Sequence, residues 1–338
     1  MKKRIVFLLI ICTVFFTACQ KNQSEYVQRA EESKNTAFPI IDESKLDAIM
    51  NDPNHILNTK ESKDVKRYEL HIDGANVCGM IAFDNRILLV DNKNGQLLVA
   101  DKNGDIIERV GKLGSAPLEF QKPTGITKDN QYVYVLDDGN SRVQLLDHEL
   151  NYVKEFGIDK SELDPDISFE DIEVDGEGII YISGSFLTDP GLLVLNGKTG
   201  KQSFQVINFS GFLAVKEDQV FGLSCGQLYL PKDDPISFGI GTGECTVLTC
   251  SPKESQKAYS LEGINTFSDF LFKDGRMYCV SHYHNELQKF TEDGTYEESL
   301  GELDENAVIQ YICKDEKGKI YVSGNSDRIF VFEEKSTD

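Results

Sequence analysis

His282-Tyr283-His284 is the sharpest chemical feature of this 338-residue sequence. Two histidines at i and i+2 share one side of an extended segment, where they can hold a metal or donate to a ligand. Two ligands do not close a zinc site, so others would have to come from elsewhere in the chain. Two solvated imidazoles on a surface loop is the plainer reading. Carboxylates are the second resource: Glu170-Asp171, Asp269 and Asp137, the last followed by Asn140. These residue types bind Ca²⁺ or move protons, but no spacing among them specifies a site. The chain carries no EF-hand loop, P-loop, HExxH or supported GxSxG. No catalytic residue is therefore assigned. His282, His284, Asp171 and Asp269 are the metal candidates, for Ca²⁺ or Zn²⁺, and nothing in the sequence demands a cofactor.

Composition weakens any argument from acids alone. Asp and Glu number 56 against 35 Lys and Arg, a formal net charge of −21. Such acidity argues against nucleic acid as a partner, because phosphate binding needs a basic face. A hydrophobic content of 40% and a mean hydropathy of −0.32 suit a globular protein with a sizeable core.

The elements that must position these residues come from a repeat. An apolar–aromatic strand recurs as Ile87-Leu88-Leu89-Val90, Val133-Tyr134-Val135-Leu136, Ile180-Tyr181-Ile182, Val220-Phe221-Gly222-Leu223, Met277-Tyr278-Cys279-Val280 and Ile320-Tyr321-Val322. The intervals between units are 46, 47, 40, 57 and 43 residues, near the length of a four-stranded propeller blade. Most anchor strands follow another strand and a polar turn, such as Asp175-Gly176 or Asp274-Gly275, which are hairpin signals. Third strands follow, as in Gln96–Ala100 and Arg328–Phe332, and then fourth strands, as in Ile106–Val110 and Tyr296–Leu300. The sixth unit ends after its third strand. Arg67–Ile72, ahead of unit one, supplies the missing fourth, which would close the ring and hide a sheet edge. The expected fold is all-β, a six-bladed β-propeller with an N-terminal strand closing the last blade; a β-solenoid or sandwich is the alternative.

Gly111-Lys112-Leu113-Gly114-Ser115-Ala116-Pro117-Leu118-Glu119-Phe120, followed by Pro123-Thr124-Gly125-Ile126, resembles the inter-blade signature of NHL-repeat and TolB-like propellers. It is most similar to the six-bladed propeller lipoproteins of Bacteroides-like bacteria. Ala116 and Leu118 stand where that pattern has glycines, so a stiffer loop is expected. The resemblance implies the fold and little about activity. In propellers of this kind, loops between blades and loops between second and third strands share the face around the channel mouth. That expectation places Asp137, Asn140, Asp171, Asp269, His282, Tyr283 and His284 as ligand-binding candidates. In lactonase-like members, carboxylates and an Asn from different blades bind one Ca²⁺ in the channel. Unit four adds Pro231–Gly243 between its second and third strands, with Phe238 and Ile240 on a loop that need not display apolar residues. A partner contact or a packed hairpin is expected there.

The N-terminus supplies an address. Lys2, Lys3 and Arg4 precede an apolar run from Ile5 to Phe16, too short to span a bilayer but suited to a secretory leader. Its end, Phe16-Thr17-Ala18-Cys19, resembles a bacterial lipobox, which implies acylation of Cys19. Gln20 in place of Asp then favours the outer membrane over inner-membrane retention. The expected organisation is a signal peptide over 1–18, a lipidated tether over 19–64 with a short helix near 43–50, the propeller over 65–334 and a tail over 335–338. The expected function is an exported, lipid-anchored, monomeric binding module for a protein, peptide or glycan at the channel mouth, touching the membrane only through its lipid. A metal-dependent hydrolase or lyase is the alternative. Six cysteines remain in the mature chain: Cys78, Cys225, Cys245, Cys250, Cys279 and Cys313. Cys245 and Cys250 cannot bond from one extended strand, where five residues span ~16 Å against a required ~5.5 Å. Cys225 with Cys245 would close the unit-four insertion; buried thiols are the other reading.

Overall fold

The computed structural model describes residues 60–72, 77–161, 163, 167–185, 191–206, 211–225, 228–229, 239–240, 244–264, 267–281, 284–303, 310–323 and 327–335. Cys19, the expected helix near 43–50, Phe238, His282 and Tyr283 lie outside them. The described residues form a six-bladed β-propeller of four-stranded antiparallel sheets. Blade one comprises Val77–Ala82, Arg86–Asp91, Gln96–Asp101 and Ile106–Val110. Blade two comprises Pro123–Lys128, Tyr132–Asp137, Arg142–Asp147 and Tyr152–Gly157. Ser168–Val174, Ile179–Ser185, Gly191–Asn196 and Gln202–Val206 make blade three. Leu213–Lys216, Gln219–Cys225, Glu244–Thr249 and Gln256–Ile264 make blade four. Blade five runs through Phe267–Lys273, Arg276–Ser281, Glu286–Thr291 and Tyr296–Glu302. Ile312–Lys314, Ile320–Ser323 and Arg328–Glu334 complete three strands of blade six.

The fourth strand of blade six is Val65–His71, paired antiparallel from Val65 opposite Glu334 to His71 opposite Arg328. The ring is thus closed by its two ends. Just ahead of the closing strand, Ser62 donates its N–H to the Ser299 carbonyl at 2.7 Å and Ser299 returns one to Lys60 at 2.8 Å. The last residues of the expected tether are therefore laid against the outer strand of blade five.

The continuous apolar runs of the anchor strands follow from burial on both sheet faces. Ile87 and Leu89 pack toward blade six, with Leu70, Tyr321 and Val331. Leu88 and Val90 pack toward blade two, with Ile126, Val133 and Val135. Among the described residues the core divides into six such clusters, one at each blade-to-blade interface. The recurrent anchor tyrosines have a second task. Tyr134, Tyr181 and Tyr321 donate their hydroxyls to Asp129, Asp175 and Asp315 at 2.7, 3.1 and 3.0 Å. Each of these aspartates also accepts backbone N–H groups of its own turn. Much of the acidity of the chain is thus turn chemistry.

The 57-residue interval of unit four lengthens the connection between the second and third strands of blade four, where Leu228 pairs with Ile240 and Tyr229 with Gly239. That short ladder is a hairpin. Among the described residues no helix is long and apolar enough to cross a membrane.

Candidate functional site

First strands line the axis of the ring, and bulges near their starts re-aim their side chains. Register shifts occur at Val77/Met80, Pro123/Gly125, Phe169/Asp171 and Phe267/Phe270. The bulges of blades one and two include Gly79 and Gly125, where the next blade packs close. A Cβ on Gly79 would lie 3.3 Å from Ile126, and one on Gly125 would lie 3.1 Å from Ile172. At the corresponding places blade three carries Asp171 and blade five Asp269.

Both carboxyls reach sideways to the next blade. Asp171 Oδ2 accepts the Leu213 N–H of blade four at 2.8 Å. Asp269 Oδ2 accepts the Ile312 N–H of blade six at 2.9 Å, and its Oδ1 accepts the Phe270 N–H at 2.7 Å. Two residues beyond Asp171, on the same face of the strand, Glu173 accepts the Thr127 hydroxyl at 2.6 Å. Asp269 is buried; Asp171 and Glu173 keep part of their surface toward the channel. Removal from bulk water lifts all three, Asp171 to about 7 and Glu173 to about 8, with Asp269 well above the usual carboxylate range. Mutual repulsion adds to burial: Glu170 acts on Asp171, Asp171 on Glu173, and both Asp171 and Glu173 on Asp269. Tyr311 stands beside them, its phenol pushed up first by burial and then by Cys78, Asp171, Asp269 and Glu170. Its ring meets Phe212 of blade four edge-on at 6.0 Å. Lys314, lowered by burial, donates to the Phe272 carbonyl rather than to these acids.

These side chains stand at the inner end of a channel cavity of about 990 Å³ lined by all six blades. From Asp171, Asp269 and Tyr311 it runs to the turns between first and second strands, where Asp129–Gln131, Asp175–Gly178 and Asp218 form its rim. That rim lies on the face opposite the inter-blade loops, from which a ligand was expected to enter. His148 is also on the rim, its Nε2 3.1 Å from the Asp129 carbonyl and its ring edge-on to Phe83 at 5.3 Å. Lys128 covers the same Phe83 ring at 4.0 Å.

The residues expected to act are therefore divided. Asp171 and Asp269 both line the channel, where the charge of Asp171 acts on Asp269. Asp137 and Asn140 are spent on the loop between blades one and two. Asp137 accepts Gln121 N–H at 2.9 Å and Lys122 N–H at 3.2 Å on one oxygen, and Asn140 and Arg142 at 2.7 and 3.1 Å on the other. Arg142 in turn donates to the Ser115, Ala116 and Glu119 carbonyls. His284 is half-buried, its imidazole pushed down by burial, and its backbone N–H donates to Ser281 Oγ at 3.1 Å. Among the described residues no three His, Cys, Asp or Glu side chains are grouped to hold a metal ion. Glu173 and Tyr311 were missed by the sequence reading. The alternation Asp171-Ile172-Glu173 on a first strand carries the signal for Glu173; Tyr311 precedes a strand too short to show a period.

A family model described as a 6-bladed beta-propeller matches residues 43–196. Comparison with curated proteins gives no match. Among solved structures the chain is similar to a protein from Bacteroides fragilis labelled as exported, at 12% identity over 84% of this chain and 98% of that one, with a TM-score of 0.54. It is also similar to virginiamycin B lyase from Staphylococcus aureus, at 13% identity over 79% and 99% with a TM-score of 0.53. A luciferin-regenerating enzyme is similar at 10% identity over 79% and 95%, with a TM-score of 0.53. At such identities the likeness is one of fold, and function has to be argued from the site.

Proposed function

We propose that this chain is an exported, lipid-anchored binding module whose channel receives a peptide segment carrying a basic side chain. The observation that supports this reading is the placement of three mutually repelling carboxyls, Asp171, Glu173 and Asp269, along the lining of one 990 Å³ channel. A volume of this size suits a ligand-sized group held by a few convergent polar atoms. An entering ammonium or guanidinium relieves the repulsion among the carboxyls and draws protons from them. Export and anchoring are supported by the leader pattern ending in Cys19 and by the exported label on one structural neighbour.

Titration calorimetry with a Lys-containing pentapeptide, at pH 6.5 and pH 8 in buffers of different ionisation enthalpy, tests this. Binding should tighten at pH 8, release protons, and weaken about tenfold or more in Asp171→Asn and Asp269→Asn. Equal affinity in those variants, or binding only of a neutral oligosaccharide, would overturn the basic-peptide reading.

A second reading, a hydrolase or lyase in the same channel, is favoured by one observation. Carboxyls at about 7 and about 8 retain protons near neutrality, as general acids do. Stoichiometric Ca²⁺ or Zn²⁺ in the purified protein, lost in Asp171→Asn, would move the assignment to this reading.

A further inference from the structure

Blade four holds two cysteines in register. The ladder between its second and third strands runs without a shift from Phe221 opposite Thr249 to Cys225 opposite Cys245. The hydrogen-bond phase of that ladder can be read from its ends. Leu223 donates its N–H to the Phe212 carbonyl at 3.1 Å, toward the first strand. Val220 accepts the Cys250 N–H at 2.9 Å, from the third-strand side. Successive residues of a strand turn their peptide groups to alternate sides. Odd-numbered residues of this strand therefore bond the first strand and even-numbered ones the third. Cys225, two residues past Leu223, faces Cys245 as a non-hydrogen-bonded pair.

Such pairs bring Cα atoms to about 4.5 Å and their side chains closer than the hydrogen-bonded kind, within the range a disulfide spans. We propose that Cys225 and Cys245 are a redox pair that closes as a cross-strand disulfide at the stem of the unit-four insertion. The step is thiol–disulfide exchange with an oxidant of the disulfide class. One thiolate attacks the oxidant, the second displaces it, and an Sγ–Sγ bond forms. The two electrons and two protons leave on the two thiols of the reduced oxidant.

The rest of the cysteines do not compete. Cys250 directly follows the strand that carries Cys245 and donates its backbone N–H to the Val220 carbonyl, five residues along the chain from Cys245. Cys279 faces Phe270 and Gln288, and Cys313 faces Tyr321. Cys78 sits at the bulge of blade one, its thiol donating to the Val90 and Pro123 carbonyls. Burial pushes the Cys78 and Cys250 thiols up to about 12, which keeps them protonated and slow to exchange.

The test uses the full chain incubated with oxidised glutathione, then alkylated, digested without reduction and mapped by mass spectrometry. A cross-link joining the peptide of Cys225 to that of Cys245 is expected, retained in Cys250→Ser and lost in Cys225→Ser. The oxidised protein should melt roughly 5–10 °C above the reduced one, as expected for closure of a loop of about twenty residues, and Cys225→Ser should remove that difference. Cys225 and Cys245 both recovered as alkylated thiols after oxidation would overturn the proposal. So would a cross-link from either to another cysteine.

Discussion

Asp269 joins blade five to blade six by accepting the Ile312 N–H at 2.9 Å, and it does so while buried. Asp171 repeats the contact from blade three to blade four through Leu213 at 2.8 Å. The channel carboxyls are thus parts of the ring as well as of the candidate site. An acceptor oxygen serves this purpose whether or not the other oxygen carries a proton, so the contacts survive neutralisation.

The pH dependence of stability follows. Asp171 rises from 3.8 to about 7 and Glu173 from 4.5 to about 8 on folding. A group raised in the folded state stabilises fully below its unfolded value, and that contribution is lost as pH rises through the folded value. The melting temperature should therefore fall between about pH 4 and pH 8. The double variant Asp171→Asn, Glu173→Gln should flatten this limb and melt higher than the parent at pH 8. Parallel curves for parent and variant would refute the assignment.

Glu334 sets the opposite limb. Against the upward push of its burial, Lys273 at 2.5 Å, Lys289 at 2.7 Å and the Tyr278 hydroxyl at 2.7 Å hold it down to about 2 from 4.5. A depressed carboxyl stabilises above its unfolded value, and that contribution is lost as pH falls through the folded one. Glu334→Gln should cost about 1–3 kcal/mol at pH 7 and leave a shallower decline between about pH 4.5 and pH 2. Urea denaturation across that range measures both.

Closure of the ring gives a third prediction. Leu70 and Ile72 are buried between blades six and one, and the Ile72 N–H donates to the Asp327 carbonyl at 2.6 Å. Ile72→Ala should cost about 2–5 kcal/mol in equilibrium unfolding. Removing residues 60–72 should be worse than the sum of such losses, because it uncovers the edge of blade six to other chains. Size-exclusion chromatography of the truncated protein should show aggregation; a stable monomer would contradict closure by this strand.

The ring was legible because its signals are local and repeated. Anchor strands such as Ile87–Val90 are apolar on both faces, and Asp-Gly turns punctuate them at blade spacing. The closing strand was legible from a deficit, since the sixth unit lacked a fourth strand and Arg67–Ile72 had no other partner. The site was legible only in part. Asp171 and Asp269 lie about a hundred residues apart, and only ring geometry and two bulges turn them toward one channel. Nothing in the local pattern separates Asp137, an equally acidic strand end, which the fold consumes in a loop. Leu118 shows the same limit from the other side. It holds φ 59°, the left-handed conformation that favours glycine, at a place where the resembling pattern has glycine. Its N–H is held by Gln144 Oε1 at 3.0 Å.

The distinction between a loop-building and a ligand-binding acid can be measured at Asp137. Its carboxylate is fully buried and pairs with the buried Arg142 guanidinium, which in turn gathers three carbonyls of the loop between blades one and two. Asp137→Ala removes the acceptor of two loop N–H groups and leaves Arg142 with its ion pair to Glu155 at 2.8 Å, on the outer strand. The expected loss is about 3 kcal/mol, with tryptic cleavage at Lys112 or Lys122 faster than in the parent. Asp137→Asn, which keeps an oxygen acceptor, should recover part of that loss. Affinity of the channel for the Lys-containing pentapeptide should stay within about twofold in Asp137→Asn, because Asp137 reaches the loop rather than the cavity. A tenfold loss of affinity with unchanged stability would instead place Asp137 in the binding site.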